Sequence, residues 1–344
     1  MTSPAPVWEV IHGYTSYWAL SAALDLGLFD ALADGEQTAA ELAERCGTSS
    51  GITLLADVLV SLDLLDTDGI TYRLAPASER YLVRSSPASM AALVRLSPGP
   101  PAAWPALADT IRRGRATHTV DDDPAAFYPE LVAATAPTQR AVAAAVAAHL
   151  TDIGSWPEAP IVVDLGAGSG AWTSALLAAR PDARAVALDL PEVIGSIDLS
   201  DEIAARVKLI AGDYLSAELP VDRADVVVLA HVLRAESPER ARALFDRALQ
   251  LIGPTGTVAI ADYPLPDPVD GPDDQRAATV RAARHDLLLG LTMLASTRAG
   301  RGITRADLQA WATAGGAEIA ATLTPLPRQT VFLIRSLRPE ASTS

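Results

Sequence analysis

Residues 161–170 read IVVDLGAGSG. The first five residues form an apolar run broken by one aspartate, which is typical of a strand buried on both faces of a parallel sheet. The glycines at 166, 168 and 170 let the chain turn tightly and let a ligand approach its backbone. A helix after such a loop directs its N-terminal amides at that ligand. Taken alone, the loop is also compatible with a tight strand-to-helix turn that binds nothing.

Further apolar runs alternate with helical segments beyond this loop. They lie at 185–190, 207–212, 225–231 and 257–263, with two more strands expected near 319–323 and at 330–337. This alternation predicts a doubly wound, Rossmann-like α/β sheet.

Acidic residues end the next two predicted strands. Asp189 lies about 20 residues beyond the glycine loop, where a carboxylate can accept both hydroxyls of a ribose. Gly212, Asp213 and Tyr214 end the third strand, where a carboxylate can accept an adenine amino group. The glycine spacing departs from the dinucleotide pattern G-x-G-x-x-G, so a cofactor without a pyrophosphate is favoured.

The N-terminal part predicts a separate helical unit. Apolar residues between Val7 and Leu26 follow helical spacing, and the sequence TAAE at 38–41 is a capping box. After a third helix, residues 64–74 read LLDTDGITYRL, a hairpin signal around Asp68-Gly69. Helix, capped helix, helix and hairpin together indicate a winged-helix unit.

Composition excludes several function classes. The formal net charge of −15 argues against a nucleic-acid partner, which requires a basic face. Cys46 is the single cysteine, which excludes an intrachain disulfide framework and fits a cytoplasmic location. We expect no membrane span, because no run of 18 or more apolar residues occurs, and no secretory signal at residues 1–6. The acidic run Asp121–Asp123 is interpreted as a solvated loop.

Several segments together resemble the class I S-adenosylmethionine-dependent methyltransferases. More narrowly, they are similar to the caffeate-type O-methyltransferases of plants and their bacterial relatives that act on polyketides and other natural products. The segments are VVDLGAGSGAW at 162–172, ALDLPEV at 187–193, AGDYL at 211–215, a helix expected from HVL at 231–233, Gly300–Thr304, AGGAE at 314–318, and LGLFDAL and TAAELAERCG at 26–32 and 38–47.

This resemblance implies S-adenosylmethionine or S-adenosylhomocysteine as the cofactor, a small-molecule substrate and an intertwined homodimer. It assigns residues 1–100 to a helical winged-helix dimerisation domain, 101–155 to a linker with substrate-pocket helices, and 156–344 to the cofactor-binding catalytic domain. Met293 and Thr297 are expected in the substrate pocket. The cofactor-binding residues that it implies are Asp164, Gly166, Gly168, Gly170, Asp189, Leu190, Gly212, Asp213 and Tyr214.

The general base of the resembled family does not appear at its expected place. O-methylating members carry a histidine in a His-Asp-Trp sequence after the fourth strand. Here residues 231–236 read HVLRAE, which places Arg234 at the histidine position and His231 one helical turn earlier. An arginine is not a base near neutral pH, but it can bind a carboxylate or stabilise an enolate or phenolate. Asp262 matches one of the two supporting acids, and Gly302 takes the position of the other.

His285 is a further catalytic candidate, since it lies on the same predicted helix as Met293 and could replace the base. The catalytic candidates are therefore Arg234, His231, Asp262 and His285, and no metal site is predicted.

Methylation of a hydroxyl on an aromatic or polyketide-like natural product is the leading interpretation. The altered base leaves open a non-methylating S-adenosylmethionine-assisted decarboxylase, hydroxylase or pericyclase. A 2-oxo-acid C-methyltransferase with a metal on His231 and His285, and a catalytically silent binding subunit, are the remaining alternatives.

Overall fold

The protein is described here from a computed structural model, which covers residues 2–48, 51–97, 99–268 and 273–337. The chain divides into two compact units, Met1–Ser97 and Pro98–Ser344.

The first unit is helical with a small antiparallel sheet. Its strands, in the order β1-β3-β2, are β1 (Gln37–Thr38), β2 (Leu65–Thr67) and β3 (Thr71–Leu74). Its helices are α1 (Ala5–Asp25), α2 (Leu28–Leu32), α3 (Ala39–Arg45), α4 (Ile52–Ser61), α5 (Pro76–Tyr81) and α6 (Ala91–Leu96).

Local sequence signals in this unit are confirmed. The capping box at the start of α3 is formed, because the Thr38 hydroxyl accepts from the amide of Glu41 and the Glu41 carboxylate accepts from the amide of Thr38. The hairpin turns at Asp68, whose carboxylate accepts from the amides of Ile70 and Thr71.

The second unit contains a seven-stranded sheet. Its strands are β4 (Ile161–Leu165), β5 (Arg184–Asp189), β6 (Val207–Ala211), β7 (Ala224–Ala230), β8 (Ile252–Asp262), β9 (Ala317–Leu326) and β10 (Gln329–Ser336). Its helices are α7 (Leu107–Arg113), α8 (Pro124–Asp152), α9 (Ala171–Ala179), α10 (Pro191–Ile194), α11 (Asp201–Ala204), α12 (Pro238–Leu251), α13 (Asp273–Ala282), α14 (Arg284–Ser296) and α15 (Arg305–Ala314).

The strand order is β6-β5-β4-β7-β8-β10-β9, and β10 runs antiparallel to both of its neighbours. The chain winds outward from β4 to β6 and then returns to the other side of β4 as β7. The carboxyl ends of β4 and β7 therefore flank the switch point at which doubly wound sheets bind ligands. The predicted fold class is confirmed.

Alternating strand residues face two apolar cores. Val163 and Val227 pack with α12 and α15 on one face, whereas Val162 and Val226 pack with α8 and α9 on the other. Because helices cover both faces, the sheet edge that carries the strand ends is left for the site.

One described helix, α8, is long and apolar enough to cross a membrane by length and composition. This helix contains no uninterrupted apolar run, because polar residues and two prolines separate its alanines and valines. Val142, Val146 and Leu150 of this helix are buried against α9 and the sheet. A helix packed into a core passes the same test of composition, and 33% of the apolar window of α8 is buried.

The acidic run Asp121–Asp123 is more structured than the sequence suggested. Asp121 accepts hydrogen bonds from the Tyr128 hydroxyl and the amide of Arg298. Asp123 caps the start of α8, where it accepts from the amide of Ala126. Asp122 and Asp123 are exposed, as expected of a solvated segment, and the carboxylates of Asp121 and Asp123 also fix the segment after α14 and the start of α8.

Candidate active site at the switch point

The glycine loop follows β4 and precedes α9. Gly166, Gly168 and Gly170 have φ angles of +84°, +57° and +73°, in the left-handed region that favours glycine. A Cβ on Gly166 would also lie 2.4 Å from Cγ1 of Val232, which comes from the loop after β7. The glycines are therefore required both for the backbone conformation and for the close approach of the two loops.

Asp189 joins the glycine loop to the end of β5. Its carboxylate accepts from the amide of Gly168 at 2.7 Å and from the amide of Leu190 at 2.7 Å. Burial raises the pKa of Asp189, and these two amides oppose the rise. The structure thus brings together three of the predicted cofactor residues.

Asp164 lies beneath the loop and is fully buried. Oδ2 accepts from the Thr173 hydroxyl at 2.7 Å, whereas Oδ1 has no hydrogen-bond partner among the described residues. Burial raises the pKa of Asp164 to about 7. A buried oxygen without a partner carries a desolvation cost that a donor on a ligand or a water would offset.

Asp213 and Tyr214 follow β6, and both are already engaged. Arg240 of α12 donates to Oδ2 of Asp213 at 2.9 Å, and the amide of Leu215 donates to Oδ1. Burial acts to raise the pKa of Asp213, but these donors outweigh it, and the pKa is lowered. The Tyr214 hydroxyl donates to Glu236, and Arg240 also binds that carboxylate. Gly212 contributes an amide that donates to the carbonyl of Asp189.

Sequence reasoning missed three members of this region. Arg240 lies in the first turn of α12, Glu236 lies two residues before that helix, and Tyr128 comes from the first turns of α8. Burial raises the pKa of Tyr128, and the negative charges of Asp121, Glu236 and Asp189 raise it further. Tyr128 therefore lies near the same carboxylates as the glycine loop, although no local pattern marks it.

His231 is not on a helix, contrary to the sequence expectation. It has a φ angle of +61°, and a short 3-10 turn, Leu233–Ala235, follows it. The helix begins later, at Pro238, where the Ser237 hydroxyl caps the amide of Arg240. A serine followed by proline is the stronger helix start, so the expected one-turn relation between His231 and Arg234 does not hold.

The side chain of His231 is 13% exposed and contacts the amide of Gln329. Nε2 of Gln329 lies 2.9 Å from Nε2 of His231, and an amide nitrogen can only donate. In the tautomer that accepts from this amide, neutral His231 carries its proton on Nδ1, which is 3.9 Å from Oδ1 of Asp262 and has no hydrogen-bond partner among the described residues. Burial, and then the charge of Arg234, lower the pKa of His231 well below its ordinary value.

Arg234, whose side chain is 18% exposed, pairs with buried Asp262 beside this histidine. Nε of Arg234 lies 3.8 Å from Oδ1 of Asp262, whose side chain is 1% exposed. Burial raises the pKa of Asp262, while Arg234 and the amide of Tyr263 oppose the rise. The pair is incompletely bonded, because Nη1 of Arg234 and Oδ2 of Asp262 both lack a hydrogen-bond partner among the described residues.

Tyr263 lies at the centre of a cluster formed with His231, Arg234, Asp262 and His285. This residue was not predicted from the sequence. Its ring centroid is 5.2 Å from the Arg234 guanidinium, 5.1 Å from the His231 ring and 5.9 Å from the His285 ring. His285, on α14, is exposed, and its ring contacts the ring of Tyr263. The four catalytic candidates therefore lie around one tyrosine.

The predicted pocket residues have different surroundings. Thr297 is buried, and its hydroxyl donates to the carbonyl of Met293 and accepts from the amide of Gly300. An apolar cavity of about 420 Å³ lies against α14, and neither Met293 nor Thr297 is among its lining residues. That cavity is lined by Thr110, Ile111, Gly114, Leu265, Leu287, Gly290, Leu291, Leu294 and Arg301.

The arrangement of this unit matches a known family. Residues 132–317, more than half of the chain, match the model of the O-methyltransferase domain, and residues 8–84 match that of the O-methyltransferase dimerisation domain. The chain belongs to the O-methyltransferase family. The sequence-based identification of the family is thereby confirmed at this level.

Individual relatives agree with this membership. The chain is 29% identical to the tetracenomycin polyketide synthesis 8-O-methyltransferase TcmO of Streptomyces glaucescens, over 91% of both chains. It is 25% identical to the 3-hydroxy-5-methyl-1-naphthoate 3-O-methyltransferase of Streptomyces sahachiroi, over 90% of this chain and 88% of that one. The crystal structure of human N-acetylserotonin methyltransferase in complex with S-adenosylmethionine shares the fold, with a TM-score of 0.72, 23% identity and coverage of 98% of both chains.

Proposed function

We propose that this O-methyltransferase family member binds S-adenosylmethionine at the glycine loop and methylates a hydroxyl of an aromatic or polyketide-like natural product. The observation that carries the proposal is the loop of left-handed glycines whose amide is fixed by Asp189 at the switch point. Relatives that methylate a polyketide and a hydroxynaphthoate support the acceptor class.

The described residues fit such a cofactor. The unpartnered Oδ1 of Asp164 can accept a hydrogen bond, directly or through water, from the ammonium group of the methionine part. Asp189 is suited to the ribose hydroxyls, and Asp213 with Tyr214 to the adenine. These carboxylates also give the site a negative potential, which favours a positively charged sulfonium over an anionic dinucleotide.

When bound, S-adenosylmethionine supplies an electrophilic methyl group on a positively charged sulfur. The protein must hold the acceptor hydroxyl in line with that methyl group, and such positioning provides much of the acceleration. We propose that Arg234 stands at the position of the family's histidine base, so His231, which stays neutral and buried, does not take the proton. His285 at the rim of the cluster keeps the role of an alternative base.

Release of S-adenosylhomocysteine tests this function. The purified protein is incubated with S-adenosylmethionine and 3-hydroxy-5-methyl-1-naphthoate, the acceptor named for one relative. We expect acceptor-dependent S-adenosylhomocysteine and an O-methylated product by mass spectrometry. Calorimetry that detects no binding of S-adenosylhomocysteine would overturn the cofactor assignment.

The altered position 234 favours a second candidate function. A buried arginine can hold a substrate carboxylate while the sulfonium acts only through its charge, as in a decarboxylase, hydroxylase or pericyclase. Conversion of an acceptor without release of S-adenosylhomocysteine would favour this candidate. A metal-dependent C-methyltransferase receives less support, since no cluster of three or more metal-ligating side chains occurs within the described ranges. A silent binding subunit would give neither product nor turnover.

We also propose that the protein is a cytoplasmic homodimer assembled through α1. Trp8, Val10 and Tyr14 on this helix are 53%, 77% and 69% exposed within the chain, an unusual density of exposed apolar side chains. A symmetric dimer would cover the same surface of both copies.

Charges on this helix are expected to separate the subunits. Val10→Glu combined with Tyr14→Glu should convert a dimer to a monomer in size-exclusion chromatography with light scattering, because burying two carboxylates in an apolar interface is strongly unfavourable. Ile153→Glu, at another exposed apolar position, is the matched control and should stay dimeric. A double variant that keeps the dimer mass would contradict the role of α1.

A further inference from the structure

The buried polar atoms that lack a partner are concentrated around Tyr263. Among the described residues they include the donors Arg234 Nη1 and His231 Nδ1 and the acceptors Asp262 Oδ2, Asp286 Oδ1 and Gln329 Oε1. Arg234 and His231 contact the Tyr263 ring. Burial raises the pKa of Tyr263, and the charge of Asp286 adds to the rise. These donors and acceptors can be satisfied by water or by a ligand that offers oxygen atoms and a hydroxyl proton.

This cluster adjoins the glycine loop. Val232, between His231 and Arg234, is the residue whose Cγ1 would contact a Cβ on Gly166. Asp262 ends β8, which is the strand next to β7 at the same sheet edge. A hydroxyl bound to Asp262 or Arg234 therefore lies on the side of the sheet where the sulfonium would be held.

The cluster contains one carboxylate suited to proton transfer. His231 is a weak base, since burial and Arg234 disfavour its charged form. An arginine side chain does not act as a base near neutral pH. Asp262 is a stronger base than an exposed aspartate, because burial favours its protonated form and Oδ2 is unengaged.

We propose that Asp262 and Arg234 act as the catalytic pair of the methyl transfer, with Oδ2 of Asp262 accepting the hydroxyl proton and Nη1 of Arg234 binding the resulting oxyanion. The proposal rests on the proposed function. A lone pair of the acceptor oxygen forms the new bond to the methyl carbon, the carbon–sulfur bond breaks, and its electron pair stays on sulfur. The proton passes from the acceptor to Asp262 and then to solvent, so the step needs no further reactant.

This pair predicts a preference for acidic hydroxyls such as those of phenols and naphthols. A carboxylate with a raised pKa removes a phenolic proton far more readily than that of an aliphatic alcohol. Without an acceptor, the charge of Arg234 is only partly compensated by Asp262, which lies 3.8 Å away. Arg234 therefore stabilises a bound phenolate. Two groups from the loop after β7 face Asp262, namely Arg234 and His231. Tyr263, the next residue in the chain, contacts His285 of α14 and is affected by the charge of Asp286 on the same helix.

The kinetic test uses Asp262→Asn, which keeps the shape of the side chain. With 3-hydroxy-5-methyl-1-naphthoate we expect kcat to fall by about 100-fold or more, the usual scale of general-base catalysis, while calorimetry shows unchanged S-adenosylhomocysteine binding. The rise of kcat/KM with pH that follows the Asp262 carboxylate should disappear. Ring-nitrated analogues of this naphthoate, with more acidic hydroxyls, should restore much of the lost rate.

A spectroscopic test does not depend on turnover. 4-Nitrophenol absorbs at longer wavelength when ionised, so its state can be read while bound to the protein with S-adenosylhomocysteine. We expect the wild type to lower the apparent pKa of the bound dye by about one pH unit, a tenfold change in its ionisation constant. Arg234→Gln should abolish this effect, and Arg234→Lys should retain part of it.

The surface pair Arg242 and Asp246, joined at 2.8 Å on α12, supplies the matched control. Arg242→Gln and Asp246→Asn should leave turnover, pH profile and dye ionisation unchanged. Full activity with an unaltered pH profile in Asp262→Asn, or loss of the pH dependence in His285→Gln instead, would overturn the pair and leave the proposed function standing. A wild type that releases no S-adenosylhomocysteine with any acceptor would overturn the proposed function and the proton-transfer role together.

Discussion

Asp189→Ala is expected to weaken S-adenosylhomocysteine binding by about 100-fold, or ~3 kcal/mol, as measured by calorimetry. The variant removes the acceptor proposed for the ribose hydroxyls. It also removes the carboxylate that accepts from the amides of Gly168 and Leu190, so the glycine loop loses its anchor. The binding free energy of the ligand should therefore fall far more than the free energy of unfolding of the free protein.

The control for this experiment is Glu192→Ala, an exposed carboxylate in the adjoining helix α10. It lowers the negative charge near the site by the same amount without touching the loop. Equal losses of affinity in both variants would mean that general electrostatics, and not the geometry of Asp189, holds the nucleoside.

Asp164→Asn should change how stability depends on pH. The pKa of this buried carboxyl is about 7 in the folded protein, whereas an unfolded aspartate titrates near ~4. Between these values the folded chain keeps a proton that the unfolded chain has released. Asp164 therefore makes the free energy of unfolding decrease as pH rises from ~4 to ~7, by up to ~4 kcal/mol for a shift of this size.

Urea denaturation at several pH values across this window measures the effect. The wild type should lose stability with rising pH, and Asp164→Asn should show a flatter profile that is higher at the neutral end. Asp201→Asn, an exposed aspartate at the start of α11, should reproduce the wild-type slope. Parallel profiles for the wild type and Asp164→Asn would contradict the assignment of the proton to Asp164.

Local patterns were sufficient to predict the sheet and the cofactor loop. Apolar runs indicate buried strands, and glycines indicate a backbone conformation that other residues adopt only with strain. Both features can therefore be predicted from the sequence. Asp189 could be located because the distance from a βα loop to the end of the next strand varies little in doubly wound folds.

The remaining site residues depend on contacts between distant segments. Gln329 meets His231 across 98 residues, and Arg240 meets Asp213 across 27. Nothing in the neighbouring sequence of either residue indicates its partner. The position of His231 was mistaken for a different reason, since the apolar HVL resembles the first turn of a helix, whereas Ser237 and Pro238 determine where the helix begins.

The place of β10 has a consequence for synthesis on the ribosome. Residues 329–336 insert between β8 and β9, although they follow both in the chain. While these residues are still in the exit tunnel, β8 and β9 have no partner between them, and Gln329 has not reached His231. The nascent polypeptide therefore completes its sheet and the cluster around Tyr263 in the same late event. A chain released early would lack that cluster.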